Sequence, residues 1–93
     1  MDSNICTFDG RVAFVTGAAG NIGFAVCRRL AAHGVRIAAC DLSAERVAER
    51  VAPLVAEGAD IRAYAMDVTV RDSVFAAVRT AVADFGRIDI LVN

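Results

Sequence analysis

Three glycines near the amino terminus have the spacing of a phosphate-binding turn. In the segment VAFVTGAAGNIG an apolar run stops at Thr16, and Gly17, Gly20 and Gly23 then lead into a helix-like pattern. Glycine lets the backbone approach a ligand closely, and the first N–H groups of a helix have no intrahelical acceptor. A phosphate supplies that acceptor and is attracted by the helix dipole. The segment predicts a strand, a turn and a helix around a nucleotide phosphate.

The glycine spacing is GxxGxxG, whereas the dinucleotide fingerprint is GxGxxG, so the neighbouring elements decide what the turn does. A simple packing turn between strand and helix is the alternative. The buried type of strand before the turn and the amphipathic helix after it favour the phosphate site.

Two acidic residues follow later apolar segments. Asp41 stands 18 residues beyond Gly23 and is followed by Leu42, and Asp67 is followed by Val68. Ligands of a parallel sheet bind beyond the carboxyl ends of its strands, where carboxylates suit hydroxyl and amine donors. We expect Asp41 to accept from the adenosine ribose hydroxyls and Asp67 from the adenine amino group. The structural alternatives are a helix N-terminal acid for Asp41 and a turn or cap for Asp67.

The elements that hold these residues follow from apolar periodicity. The predicted strands cover residues 11–16, 35–40, 61–66 and 88–92, and the first helix covers residues 21–33. Ser43 should cap the second helix, which Pro53 should kink or split, and the sequence Thr69-Val70-Arg71-Asp72 should cap the third. This alternation implies a parallel sheet with right-handed crossovers and strand order 3-2-1-4. The predicted fold class is α/β, a partial Rossmann-like doubly wound sheet.

Each helix should bury one apolar face and end at a glycine. The residues expected on these faces are Ile22, Val26 and Leu30, then Val47, Val51, Leu54 and Val55, then Val74, Val78, Ala81, Val82 and Phe85. The terminating glycines are Gly34, Gly58 and Gly86. Cys27 and Cys40 should be small buried residues, and Phe8 should pack under the edge of the sheet.

Composition excludes several classes of protein. Of the 93 residues, 57% are apolar, and the net charge is -1 with acidic and basic residues interspersed. This pattern excludes a disordered chain and indicates neither a nucleic-acid nor a membrane partner. No apolar run reaches the roughly 18 residues that span a bilayer, and no signal peptide opens the sequence. With three cysteines that lack metal-site spacing, we expect a cytoplasmic protein without a metal site.

The basic residues carry further information. All ten residues counted as Lys or Arg are arginine. The absence of lysine excludes a P-loop and Schiff-base chemistry within these 93 residues. The single histidine, His33, is expected on the surface at the end of the first helix, where it compensates the helix dipole.

The segment TGAAGNIG resembles the TGxxxGxG loop of the short-chain dehydrogenase/reductase family, and the similarity continues through CDLS, AMDV and GRIDILVN. Asn21 stands where the standard branch of that family has glycine, and the spacing TGxxGxxG is that of the extended branch. The segment DFGRIDILVN resembles the standard branch, in which it runs on into NNAG, so we favour that branch. Asn accepts left-handed backbone angles better than most residues.

The resemblance, together with the strand ends, gives an expected set of cofactor-binding residues. The set comprises Thr16, Gly17, Gly20, Asn21, Ile22, Gly23, Asp41, Leu42, Asp67, Val68 and Asn93. Asn93 enters because it matches the first Asn of NNAG, which lies on the adenosine and nicotinamide side of the cofactor in the family.

The resemblance also implies an activity, hydride transfer between a nicotinamide cofactor and an alcohol/carbonyl pair in a homo-oligomeric enzyme. The family uses a serine, a tyrosine and a lysine, the last two as YxxxK, yet Tyr64 is the only tyrosine here and Val68 stands four residues later. No catalytic residue is therefore predicted. We expect residues 1–93 to be the amino-terminal dinucleotide-binding part of a longer oxidoreductase, incomplete at the C-terminus and inactive alone. The alternatives are a non-catalytic dinucleotide-binding module and a methyltransferase nucleoside-binding domain.

The choice between NAD and NADP depends on Asp41, because a carboxylate repels the 2'-phosphate of NADP. The family's NADP users place a basic residue in the glycine loop or just after the second strand. Those places hold Ala18, Ala19 and Leu42, and neither Arg28 nor Arg36 is well placed to replace them. The sequence therefore predicts NAD.

Overall fold

Four parallel strands and three helices alternate along residues 8–93, the part of the chain that the computed structural model describes. The elements are β1 (Val12–Thr16), α1 (Asn21–Ala32), β2 (Arg36–Asp41), α2 (Ala44–Ala56), β3 (Ile61–Ala65), α3 (Arg71–Phe85) and β4 (Ile90–Val92). The strand order is β3-β2-β1-β4, which confirms the predicted α/β class and topology. Because β1 is central, its carboxyl end opens on the point where the order of the strands reverses.

The buried residues of the two central strands, 12–15 of β1 and 37–40 of β2, are all apolar because helices cover both faces of the sheet. On one face, Ala13, Val15, Ile37 and Ala39 pack with residues of α1 and α2. On the other, Val12, Phe14, Ala38 and Cys40 pack with Ala77, Ala81 and Phe85 of α3. This double cover holds the glycine loop after β1 on a rigid base. No helix among residues 8–93 is long and apolar enough to cross a membrane.

The predicted burial of Cys27 and Cys40 is confirmed. Both side chains are fully buried, and both thiols are free. Burial raises the pKa of Cys27 to about 11 and, with smaller electrostatic contributions, that of Cys40 to about 12. Because the thiolate is the nucleophilic form, both groups are inert at neutral pH.

Several residues assigned to apolar helix faces are instead exposed. Ile22 is 82% exposed, and Val55 and Val82 are 45% and 40% exposed. Ile22 belongs to the first turn of α1 beside the glycine loop, while α3 contacts the sheet through Ala77, Ala81 and Phe85. The buried stripe of α3 is therefore narrower than predicted, and Val82 lies about 100° around the helix from Ala81. Phe8, expected beneath the sheet edge, is also exposed.

Pro53 neither splits nor ends α2, which runs unbroken from Ala44 to Ala56. Proline removes the bond that its N–H would make to the carbonyl four residues earlier, here that of Glu49. Both residues are exposed, so water can solvate the freed carbonyl. The buried side of α2, with Val47, Val51 and Leu54, remains intact.

The prediction of helix caps is confirmed for α2 and wrong for α3. The Ser43 hydroxyl accepts the N–H of Arg46 at 3.2 Å. The N-cap of α3 is Val70, which makes no side-chain cap. The Thr69 hydroxyl donates instead to the Asp67 carboxylate at 2.6 Å, a charged acceptor that competes effectively with capping.

The last strand is shorter than predicted because Asp89 anchors its entry. The Asp89 carboxylate accepts the N–H of Val12 at 2.9 Å and Nε of Arg87 at 2.8 Å, and its own N–H donates to the Val12 carbonyl. The ladder to β1 then contains only three pairs, beginning at Ala13 and Ile90. The side chain of Asp89 thus fastens β4 to β1 beside the start of the central strand.

The anchor predicts a specific dependence of stability on acid. The hydrogen bonds from Arg87 and Val12 hold the pKa of Asp89 below its usual value of 3.8. A lowered folded-state pKa gives stability that is present above the unfolded value and lost as pH falls through the folded value. We expect Asp89→Asn to lower the urea midpoint at pH 7 and 5, and the deficit to begin shrinking near pH 4 and to vanish only once the pH is below the folded-state pKa of Asp89.

The measurement is urea unfolding of both proteins from pH 7 to pH 2.5. Glu57→Gln, at the C-cap of α2, is the matched control and should give no such pH-dependent difference. A constant gap between Asp89→Asn and the unmodified chain at every pH would contradict the anchor.

Candidate cofactor-binding site

The glycine loop turns the chain from β1 into α1 within four residues. Gly17 takes a left-handed conformation, with φ of +66°, which side chains rarely adopt. The Gly20 N–H donates to the Gly17 carbonyl at 3.0 Å, and Gly20 is the N-cap of α1. No side chain caps this helix end, so its first N–H groups remain open to a ligand.

The space around the loop is open where a phosphate would approach. A methyl group added at Gly17 would meet no atom within 4 Å, and one at Gly20 would meet only the Gly17 carbonyl oxygen at 3.4 Å. The outer side of the loop is therefore open. With uncapped N–H groups and the positive end of the α1 dipole, this opening fits a pyrophosphate.

Gly23 has a different role, in packing. A Cβ at this position would lie 2.6 Å from the carbonyl carbon of Gly17 and 3.0 Å from Cα of Ala18. The first turn of α1 thus packs directly on the backbone of the loop. Any side chain at Gly23 would push the helix end away from the strand.

Asp41 joins the loop to the end of β2. One carboxylate oxygen accepts the N–H of Ala19 at 3.0 Å, and the other accepts the N–H of Leu42 at 2.8 Å. The neighbouring Ala18 is buried, and its N–H donates to the Cys40 carbonyl at 3.0 Å. These bonds fix the position of the carboxylate and leave lone pairs for donors from a ligand.

Asp67 lies at the end of the next strand, in a turn. Its carboxylate accepts the N–H of Thr69 at 3.0 Å as well as the Thr69 hydroxyl, and these bonds lower the pKa of Asp67. Its own N–H donates to the Ser73 hydroxyl at 2.9 Å. Asp67 therefore has the turn role that was the structural alternative, and within residues 8–93 both hydrogen bonds to its carboxylate use the same oxygen, Oδ1.

Most of the predicted residues meet in a groove of about 330 Å³ at the carboxyl edge of the sheet. The lining comprises Thr16, Gly17, Cys40, Asp41, Leu42, Met66, Asp67, Val68 and Thr69. Leu42 and Val68 are 71% and 63% exposed, which is unusual for large apolar side chains unless something covers them. The groove has carboxylates along its base and apolar side chains at its rim.

A second cavity of about 290 Å³ lies on the outer side of Asp41. Ala19, Gly20, Asp41, Leu42, Ser43 and Arg46 line it. Arg46 was not among the residues predicted from the sequence. The cap at Ser43 places Arg46 in the first turn of α2, three residues on, and that spacing is the signal that could have found it.

Four predicted residues line neither cavity: Gly23, whose packing role is given above, and Asn21, Ile22 and Asn93. The Asn21 side chain accepts Nη2 of Arg50 at 3.1 Å and so points toward α2, with the Arg50 guanidinium stacked 4.5 Å from the Phe24 ring centre. Ile22 is exposed beside the helix end. Asn93 is exposed beyond β4, next to Val92, whose carbonyl accepts the Thr16 hydroxyl at 3.4 Å.

Comparison with known proteins agrees with a nucleotide-binding fold of the dehydrogenase type. The model of the short chain dehydrogenase family matches residues 11–93. The D-threitol dehydrogenase of Mycolicibacterium smegmatis is 49% identical over 85 residues, which cover 91% of this chain and 33% of that protein.

Two solved structures extend the comparison. Xylitol dehydrogenase, solved with NAD+ bound, is 43% identical with a TM-score of 0.85, and the match covers 90% of this chain and 32% of that one. A short-chain dehydrogenase/reductase from Burkholderia phymatum, solved in complex with NAD, is 32% identical with a TM-score of 0.85, over 90% of this chain and 30% of that one. The chain spans about a third of the length of these relatives. It belongs to the short-chain dehydrogenase/reductase family.

Proposed function

We propose that this chain is the NAD(H)-binding part of an oxidoreductase that acts on an alcohol/carbonyl pair. The observation that carries the proposal is the Asp41 carboxylate, held by an N–H of the glycine loop between the open end of α1 and the apolar rim of the groove. Family membership and the names of the relatives, which are dehydrogenases and reductases, support the reaction class.

Each part of an adenine dinucleotide has a matching group. The N–H groups at Gly20, Asn21 and Ile22 would bind the pyrophosphate, with Gly17 leaving room for it and Gly23 setting the helix in place. Asp41 would accept from the ribose hydroxyls.

The remaining predicted residues surround the two ends of the cofactor. Leu42 and Val68 would cover the adenine ring from either side, and the unused oxygen of Asp67 would accept from its amino group. Thr16 and Asn93, at the ends of neighbouring strands, would lie on the nicotinamide side. When bound, the nicotinamide ring supplies the hydride chemistry.

The residues present supply binding and no proton transfer. There is no lysine in the sequence, and the Tyr64 hydroxyl donates to Asp84 at 2.6 Å. Burial and this hydrogen bond raise the pKa of Tyr64, which removes it further from acid–base work at neutral pH. The catalytic groups of the parent would therefore come from beyond these 93 residues. The free buried thiols support a cytoplasmic parent. The family resemblance supports a homo-oligomeric one.

Titration calorimetry with NAD, on the full-length parent protein, tests the proposal. We expect saturable binding in the micromolar range, competition by AMP, and no heat from S-adenosylmethionine. The 93-residue chain, assayed for NADH formation at 340 nm, should show no turnover with alcohols. Absence of NAD binding by the parent, or preferential binding of S-adenosylmethionine, would contradict the proposal.

A further inference from the structure

The outer side of Asp41 is bounded by an arginine. Arg46 lines the cavity of about 290 Å³ that contains Asp41 and Ala19. An adjoining cavity of about 300 Å³ shares Ala19 and Arg46 and adds Glu49 and Arg50. Two arginines and two acidic residues therefore line this continuous surface. Their charges balance, so the surface repels an anion less than Asp41 alone would.

Arg46 and Arg50 differ in the contacts that their side chains make. Arg50 donates to the Asn21 side chain at 3.1 Å and stacks over the Phe24 ring at 4.5 Å. The Arg46 backbone is fixed by the Ser43 cap, but within residues 8–93 its guanidinium has neither an ion pair nor a side-chain hydrogen bond. Within the described residues, Arg46 is thus a cation without a side-chain partner that lines the same cavity as Asp41.

We propose that Arg46 is a specificity-determining residue that receives a phosphate on the adenosine ribose, so that the protein binds NADP as a second, weaker cofactor. This inference rests on the proposed function, since it assigns the ribose to Asp41. A phosphate on the 2'-oxygen adds up to two negative charges in the cavity that Arg46 lines. The guanidinium offers paired donors that match phosphate oxygens, which a lysine does not.

The charge on Asp41 does not cancel this effect. Both of its oxygens already accept backbone N–H groups, from Ala19 and Leu42, and such bonds partly offset its negative charge. Without Arg46, a phosphate there would face Asp41 and Glu49 with only the engaged Arg50 nearby. Arg46 therefore sets how far NADP is disfavoured.

The test is to measure dissociation constants for NAD and NADP in the full-length parent and in Arg46→Gln. We expect the ratio of NADP to NAD dissociation constants to rise about tenfold in Arg46→Gln, equivalent to one exposed charge-assisted contact. Arg46→Lys keeps the positive charge but lacks the paired donors of the guanidinium. It should therefore recover part of that loss. Arg29→Gln, an exposed arginine in the last turn of α1, is the control and should leave the ratio unchanged.

A second pair of variants keeps the test decisive if NADP binding by the unmodified protein is too weak to measure. In the Asp41→Ser background, NADP binding should depend on Arg46 by a similar factor. A ratio that Arg46→Gln does not change in either background overturns the inference while leaving NAD binding, and hence the proposed function, intact. Failure of the unmodified protein to bind NAD overturns the proposed function itself.

Discussion

Gly23→Ala is expected to abolish measurable NAD binding by the full-length parent and to lower its free energy of unfolding by about 2 to 3 kcal/mol. The added Cβ would lie 2.6 Å from the carbonyl carbon of Gly17 and 3.0 Å from Cα of Ala18, both of them backbone atoms. Backbone in this loop cannot yield without moving the end of α1. The displaced N–H groups would then no longer converge on the pyrophosphate.

Gly20→Ala is the matched control in the same loop. Its Cβ would meet only the Gly17 carbonyl oxygen at 3.4 Å, an ordinary contact, and its backbone φ of −82° suits any residue. We expect this variant to keep nearly all of its stability. Urea unfolding and NAD titration of both variants give the measurement, and a Gly23→Ala protein with unaltered midpoint and affinity would contradict the packing role.

Asp41→Ala is expected to reverse the preference between the cofactors. At an effective dielectric of about 20, two unit charges about 4 Å apart interact by roughly 4 kcal/mol. Even after screening, removing the carboxylate should strengthen NADP binding about 100-fold. NAD binding should weaken about tenfold or more, because the ribose hydroxyls lose a charged acceptor.

Both effects are measured by titrating NAD and NADP into the parent and the variant. Asp60→Asn is the control, since Asp60 is an acidic residue at the opposite, amino-terminal end of β3. Equal or tighter binding of NADP than of NAD by the unmodified protein would contradict the role of Asp41. The loop also loses its bond from Ala19 in this variant, so part of the loss in NAD affinity reflects a looser loop.

The features that could be predicted from sequence are those fixed by local chemistry. The apolar runs of β1 and β2 predict strands buried on both faces, and the glycines after β1 predict an uncapped helix end. The alternation of strands and helices then leaves few possible topologies. The order β3-β2-β1-β4 and the place of Asp41 at the carboxyl edge of the sheet could therefore be predicted.

The features that were missed depend on distances between elements. Nothing local shows that α3 contacts the sheet through Ala77, or that Ile22 extends into solvent. The failed cap at Thr69 is a competition won by Asp67, an acceptor two residues away whose orientation only the turn defines. The Ser43 cap predicts that Arg46 lies in the first turn of α2, but its proximity to Ala19 depends on how α2 approaches the loop.

The two buried cysteines lie on opposite faces of the sheet. Each can therefore report on the helical layer that covers it. Cys27 packs in the layer formed by α1 and α2, whereas Cys40 packs under α3 on the other side. With pKa values near 11 and 12, neither thiol reacts until its layer opens to solvent. Pulsed alkylation followed by mass spectrometry would therefore time the opening of each helical layer separately, in the native sequence and without an introduced cysteine.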